Sequence, residues 1–345
     1  MKTQAAILVE TGKPLHLTEL DIPRLKPGQV LVEIVYSSIC HTQLLESRGH
    51  RGEDKYLPHA LGHEGSGIVR EIGPEVTKVK PGDHVILSWI KGSGKEISQT
   101  VYPWENKTVN SGAIATFMHV AVVSENRLTV IDEKIPMQEA AFLGCAVATG
   151  VGAVTHTAHA QSGQSLAVFG VGGVGLCAVA GAAAIGCNPI IAVDVTKEKL
   201  EFAKQMGATH AFHSNDIATE LSRLCPNGLD VAIEASGKPE VMRQALQSVR
   251  GQGGTAVVIG NARHGETVSI DPRQLNLGKR LLGTWGGDTT PDVDFPYYCK
   301  LLSSGKLRLK PLLAKSYRLS EINNALNDLE NGKVVRPLIE MHHAN

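Results

Sequence analysis

Over roughly the first 150 residues, hydrophobic positions come in short alternating or β-branched runs: AAILVE, VLVEIVY, GSGIVREI, HVILSW and FMHVAVV. Runs of this kind, broken by turn signals such as Lys26-Pro27-Gly28 and Lys80-Pro81-Gly82-Asp83, predict short strands in a mostly β, barrel-like region. The pattern then changes. SLAVFG, PIIAVDV, LDVAIEAS and GGTAVVIG are near-continuous apolar runs, and between them lie helical stretches such as VGLCAVAGAAAIG and KEKLEFAKQMGA. Strands apolar on both faces, alternating with helices, predict a doubly wound α/β domain around a parallel sheet, here over residues 151–285. After RLLGTWGG, a helix around Phe295 to Ser304 and a strand near VVRPLIEM are expected to return to the first domain, so that 1–150 is completed by 286–345. The most polar stretch, 91–112, reads as an exposed loop or lobe.

A length of 345 residues agrees with two domains, each with its own core. Lys plus Arg and Asp plus Glu both number 34, so no basic excess points to nucleic acid or an anionic membrane, and a small neutral partner fits better. The N-terminus lacks a basic start followed by an apolar run, and no window reads as the roughly 18 apolar residues of a membrane span. A cytoplasmic location is the expectation. The six cysteines are too sparse for a disulfide framework, which leaves reduced thiols available as metal ligands.

Gly170-Val171-Gly172-Gly173-Val174-Gly175 lies between the strand SLAVF and an Ala/Gly-rich helix. Such a turn lets backbone approach a pyrophosphate while the helix N-terminus offers amide donors. Asp194 ends the next strand 19 residues beyond Gly175, near the spacing at which an acid meets the adenosine ribose. Its charge would repel a 2′-phosphate, and Val195 and Thr196 offer no compensating cation, so NAD is expected over NADP. Lys199 is a further candidate for the ribose. The blander alternative is a tight glycine turn with Asp194 capping the next helix.

Gly62-His63-Glu64-Gly65-Ser66-Gly67, continuing through Gly73 and Val76, resembles the signature of the zinc-containing alcohol dehydrogenases of the medium-chain dehydrogenase/reductase family. The resemblance extends over Cys40-His41-Thr42, Leu143-Gly144-Cys145 and the nucleotide-binding half. It implies a GroES-like catalytic domain beside a Rossmann domain, and a hydride exchanged between an alcohol and NAD. It also implies a catalytic zinc on Cys40, His63 and Cys145, with Glu64 as an alternate or outer ligand. Thr42 stands where the family places the hydroxyl that takes the substrate proton. His41 and Arg336 match pyrophosphate contacts, Thr149 joins the cofactor set, and Trp89, with Phe117 beside it, matches the substrate pocket, core packing being the alternative for both aromatics. Relatives associate as homodimers or homotetramers. Two thiolates and an imidazole independently suit zinc, and three protein ligands leave a fourth position open for chemistry.

The chain also departs from the family. No cysteine lies between Cys40 and Cys145, so the four-cysteine structural zinc lobe of many relatives is not expected. Leu45 replaces a His that finishes the proton relay, and Gln43 replaces an Asp that orients the zinc-bound His. Two other readings are a zinc-free quinone or enoyl reductase, against which Cys40, His63, Glu64, Cys145 and Asp194 stand, and a non-catalytic nucleotide-binding relative.

Overall fold

The structure, a computed structural model, describes residues 1–215 and 217–341. The chain divides into two compact units. One comprises Met1–Cys145, Thr290–Lys300 and the chain from Leu312 onward; the other comprises Ala146–Thr289 and Leu301–Pro311.

The first unit is built on two β-sheets. A seven-stranded sheet runs Leu128–Val130, His84–Ser88, Glu64–Ile72, Gln29–Ser38, Leu338–Glu340, Ser316–Arg318, with Val120–Ser124 also paired to Gln29–Ser38. Its centre is Gln29–Ser38, the VLVEIVY run, where Val30, Val32 and Ile34 are fully buried. β-Branched side chains on such a pleated surface pack well and lose little rotamer freedom. A five-stranded sheet runs His16–Asp21, Lys2–Leu8, His59–Ala60, Lys107–Gly112, Thr100–Trp104. The two sheets share one apolar core containing Ile7, Leu20, Val32, Tyr102, Phe117 and Ile339.

The stretch 91–112 is exposed along most of its length, as expected, but part of it is regular structure. Residues 100–112 form a hairpin whose Tyr102 and Val109 are fully buried, and the Tyr102 hydroxyl accepts the Val122 N–H at 2.6 Å. Residues 91–96 are tied down by charge. Glu96 pairs with Lys91 and Arg127, while Glu125 accepts the backbone N–H groups of Thr77, Lys78 and Lys95.

The second unit holds a six-stranded, all-parallel sheet in the order His210–His213, Ile190–Asp194, Leu166–Phe169, Val231–Glu234, Thr255–Val258, Arg280–Gly283. The strand order reverses next to Leu166–Phe169, the crevice at which open α/β sheets bind ligands. Arg280–Gly283 is an outer strand, and Leu275, Leu277, Leu282 and Trp285 near it are exposed. Among the described residues one helical run, Met137–Thr157, is long and apolar enough to cross a membrane by length and composition, contrary to the reading from sequence; 83% of its most apolar 18-residue window is buried in the fold.

Candidate metal centre and nucleotide-binding turn

Cys40, His63 and Cys145 come together in the first unit with all ligand atoms within 4.8 Å of one another. Each is delivered by a different local device. Cys40 caps the helix His41–Ser47 just after the strand Gln29–Ser38. His63 follows Gly62, whose φ of +92° no side chain takes readily; a Cβ there would stand 2.3 Å from Thr116 Oγ1 and 2.7 Å from Phe117. Cys145 lies in a π-helical turn, Leu143–Val147, of the kind that recurs at functional sites. Gly144 lets this turn press on the strand His84–Ser88, since a Cβ would meet the Leu87 carbonyl at 2.1 Å, and the Ser88 hydroxyl donates to the Gly144 carbonyl at 2.6 Å.

His63 Nε2 faces Cys145 Sγ at 3.2 Å, and Thr42 Oγ1 lies 3.6 Å from Cys40 Sγ. A hydrogen bond from Cys145 holds the Cys40 thiol well below the usual thiol range, with the charges of Arg336 and His63 adding to it. The same shared hydrogen bond, with burial, pushes Cys145 up, so the two thiols are moved in opposite directions. Two buried sulfurs, one of them held low, beside an imidazole are the donor chemistry that zinc takes.

Glu64, expected as an alternate or outer ligand, has its carboxylate held by Ser38 and Arg336. It is fully buried, accepts the Ser38 hydroxyl at 2.5 Å and pairs with Arg336, and it is not one of the three clustered donors. Burial pushes its carboxyl up, and the Arg336 guanidinium pulls it back down. Arg336, expected on a pyrophosphate, is itself buried and uses Nε on Ser38 and one terminal nitrogen on Glu64.

Trp89 stands beside the cluster, its ring centroid 6.3 Å from that of His63. Phe117, expected in the pocket, is instead fully buried in the apolar core and packs on Gly62, so it supports the metal-ligand strand from behind. His41 is exposed at the start of its helix. Leu45 is half-buried on the same helix and offers no proton. A second group was not singled out from sequence: ligand atoms of Glu46, Asp54 and His59 also lie within 4.8 Å of one another, with His59 Nε2 at 2.7 Å from Asp54 Oδ2. Burial raises the Glu46 carboxyl, opposed by His59 and Arg51. Glu46 and Asp54 lie in polar segments and His59 just ahead of Gly62, and no motif joins the three.

In the second unit the glycine turn joins the strand Leu166–Phe169 to the helix Gly173–Ile185. Gly170 has φ +88°, and a Cβ on Gly175 would sit 1.9 Å from the Gly170 carbonyl, so both must be glycine to close the turn. Gly172 is different. Nothing lies within 4 Å of where its Cβ would be, which leaves open space over the backbone at the N-cap of the helix. That is the cradle a pyrophosphate needs. Asp194 accepts Val171 N–H on Oδ2 and Thr196 N–H on Oδ1, both at 2.9 Å, so it fixes the turn while keeping lone pairs for further donors. Val174 and Lys199 are half-buried close by in sequence, on the helices Gly173–Ile185 and Lys197–Gln205, and Thr149 is half-buried in the helix Ala148–Gly152.

Comparison with known proteins agrees with both halves. The alcohol dehydrogenase GroES-like domain family matches residues 26–133, and the zinc-binding dehydrogenase family matches residues 173–304. An S-(hydroxymethyl)glutathione dehydrogenase of Synechocystis is 35% identical over 98% of this chain and all of its own length. A putative alcohol dehydrogenase D of Mycobacterium tuberculosis is 33% identical over the same shares. The crystal structure of benzyl alcohol dehydrogenase from Acinetobacter calcoaceticus superposes with a TM-score of 0.90 at 31% identity, covering 99% of this chain and all of that one. With both domain families matched and relatives aligned from end to end, the chain belongs to the zinc-containing alcohol dehydrogenases of the medium-chain dehydrogenase/reductase family.

Proposed function

We propose that this alcohol dehydrogenase uses NAD and one zinc ion to interconvert an alcohol with its aldehyde or ketone. The observation that carries the reading is the buried Cys40, His63 and Cys145 trio with the Thr42 hydroxyl beside it. Bound on those three donors, zinc would supply a Lewis acid that brings an alcohol's ionisation within reach of neutral pH, and NAD would accept the hydride.

The chain's own groups do the rest. Thr42 accepts the alcohol's hydroxyl proton as it gives up its own, so it relays the proton without holding it. Leu45 ends that line of donors on its helix, so the proton leaves by a route other than the family's His. Trp89 walls the space beside His63 with an apolar face, which favours small or slender alcohols. Gly172 and the helix N-terminus behind it receive the pyrophosphate, and Asp194 takes the ribose hydroxyls while disfavouring a 2′-phosphate. Glu64, Ser38 and Arg336 form a buried polar support directly behind the metal ligands. We also read the protein as a cytoplasmic homodimer or homotetramer. None of the six cysteines is in a disulfide, and the outer strand Arg280–Gly283 with exposed Leu282 and Trp285 is a surface suited to a second copy.

The test is NADH formation by zinc-loaded protein over aliphatic, aromatic and sugar alcohols, with NADP in parallel. Turnover of at least one alcohol class with NAD, faster than with NADP, is expected. No NADH from any alcohol and no oxidation of NADH by the matching carbonyls would overturn the reading.

A further inference from the structure

Gln43 is buried in the first turn of the helix His41–Ser47 and bridges two members of the metal cluster. Its Oε1 accepts the Cys40 backbone N–H at 2.9 Å, and its Nε2 is hydrogen-bonded to His63 Nδ1. The other ring nitrogen, Nε2, faces Cys145 Sγ at 3.2 Å. The hydrogens therefore run in one direction: amide N–H to Nδ1, then Nε2–H to sulfur. Every group has a partner.

A metal ion on His63 Nε2 needs a lone pair there, which in a neutral imidazole places the ring hydrogen on Nδ1. Gln43 then faces two donors, Cys40 N–H and His63 Nδ1–H, with one carbonyl oxygen. That oxygen has two lone pairs, but with the amide placed as it is, one end toward Cys40 N–H and the other toward His63 Nδ1, either orientation sets its NH2 group against one buried donor. A carboxylate at this position has two acceptor oxygens and satisfies both.

We propose that Gln43 is a positioning residue that weakens zinc binding at this site, because loading the metal requires its amide to turn over and give up the Cys40 N–H for His63. The proposal rests on Cys40, His63 and Cys145 being the zinc ligands. The consequence is a metal that exchanges more readily than an acidic residue at position 43 would allow.

The experiment titrates zinc into the full-length protein in competition with a chromogenic chelator, for wild type, Gln43→Glu, Gln43→Met and Cys40→Ser. Gln43→Glu keeps the side-chain length and supplies the second acceptor, so it is expected to bind zinc about tenfold to hundredfold more tightly, the range over which outer-shell partners act. Gln43→Met, with neither donor nor acceptor, should bind no more tightly than wild type. In the wild type alone, hydrogen exchange of the Cys40 amide should quicken on zinc loading as its acceptor turns away. That readout does not depend on any variant folding, and the added charge of Gln43→Glu does not enter it. A folded Gln43→Glu with wild-type zinc affinity, or a Cys40 amide equally protected with and without zinc, overturns the proposal. Zinc uptake undiminished in Cys40→Ser, or none in the wild type, would instead remove the ligand assignment beneath it, and the proposal with it.

Discussion

The metal cluster draws its donors from residues 40, 63 and 145, on a helix cap, the residue before a strand and a π-helical turn, whereas the whole nucleotide turn lies between Leu166 and Asp194. The second is a single strand–turn–helix–strand unit held by local hydrogen bonds, Asp194 to Val171 among them. The first exists only when two sheets and a shared core bring distant segments together. A local site depends on its glycines; a dispersed one depends on everything that packs behind it.

The largest effect should come from the cluster itself. Cys40→Ser replaces a thiolate ligand with a poor one, and losing several kcal/mol of Lewis-acid stabilisation corresponds to roughly a thousandfold fall in alcohol oxidation. Zinc content measured on the same samples should fall in parallel, while NAD binding stays within about twofold of wild type. Loss of NAD binding as well would break the separation between the two regions.

Phe117 tests whether the dispersed site leans on its core. Phe117→Ala empties a fully buried position against Gly62, and about 3–5 kcal/mol of stability should go with it in denaturant unfolding. Zinc affinity should weaken too, because Gly62 directs His63. A large loss of stability with unchanged zinc affinity would show that the ligand strand holds its course without that support.

The nucleotide turn separates into closure and contact. Gly175→Ala should destabilise the second unit outright, since the new methyl would stand 1.9 Å from the Gly170 carbonyl. Asp194→Ala should raise the dissociation constant of NAD by about tenfold to hundredfold, the value of one or two charge-assisted hydrogen bonds, and narrow the preference over NADP. Calorimetric titration with both nucleotides reads this directly. An unchanged NAD affinity in Asp194→Ala would reduce that residue to a turn brace.

The smallest effect concerns the buried thiols that belong to neither site. Burial lifts Cys187 and Cys299 from 9.0 to about 11. A thiol whose pKa is raised on folding contributes stability that is complete below its unfolded pKa and is lost as pH rises toward the folded one. Stability should therefore decline between about pH 9 and 11, and the double variant Cys187→Ala, Cys299→Ala should decline less steeply over that window in denaturant melts. Equal slopes would place the alkaline loss elsewhere.

What could be read from sequence follows the same division. The apolar runs around Val168, Ala192 and Ile233 announce a parallel sheet because a strand covered on both faces cannot hide its composition, and the glycine turn is contiguous. Cys40, His63 and Cys145 carry no shared periodicity, and only their motifs mark them. The hairpin 100–112 was hidden because its inward residues Tyr102 and Val109 are interleaved with Pro103, Glu105 and Asn106, which read as loop. His16–Asp21 was missed for a similar reason: of its six residues only Leu20 is buried. The support formed by Ser38, Glu64 and Arg336 spans almost the full chain, and no local pattern pairs such residues. Arg336 accordingly suggested a phosphate contact before it showed a buried carboxylate partner. Phe117 suggested a pocket because an aromatic near a motif looks the same in sequence whether it faces a cavity or fills the core behind a glycine.

One metal ion is expected on these three donors. Crystals grown with zinc, measured on both sides of the zinc absorption edge, test it most directly. One anomalous peak per chain is expected within bonding distance of Cys40 Sγ, His63 Nε2 and Cys145 Sγ, and it should disappear in Cys40→Ser. A zinc-replete crystal with no peak there, or with its peak at other residues, would contradict it.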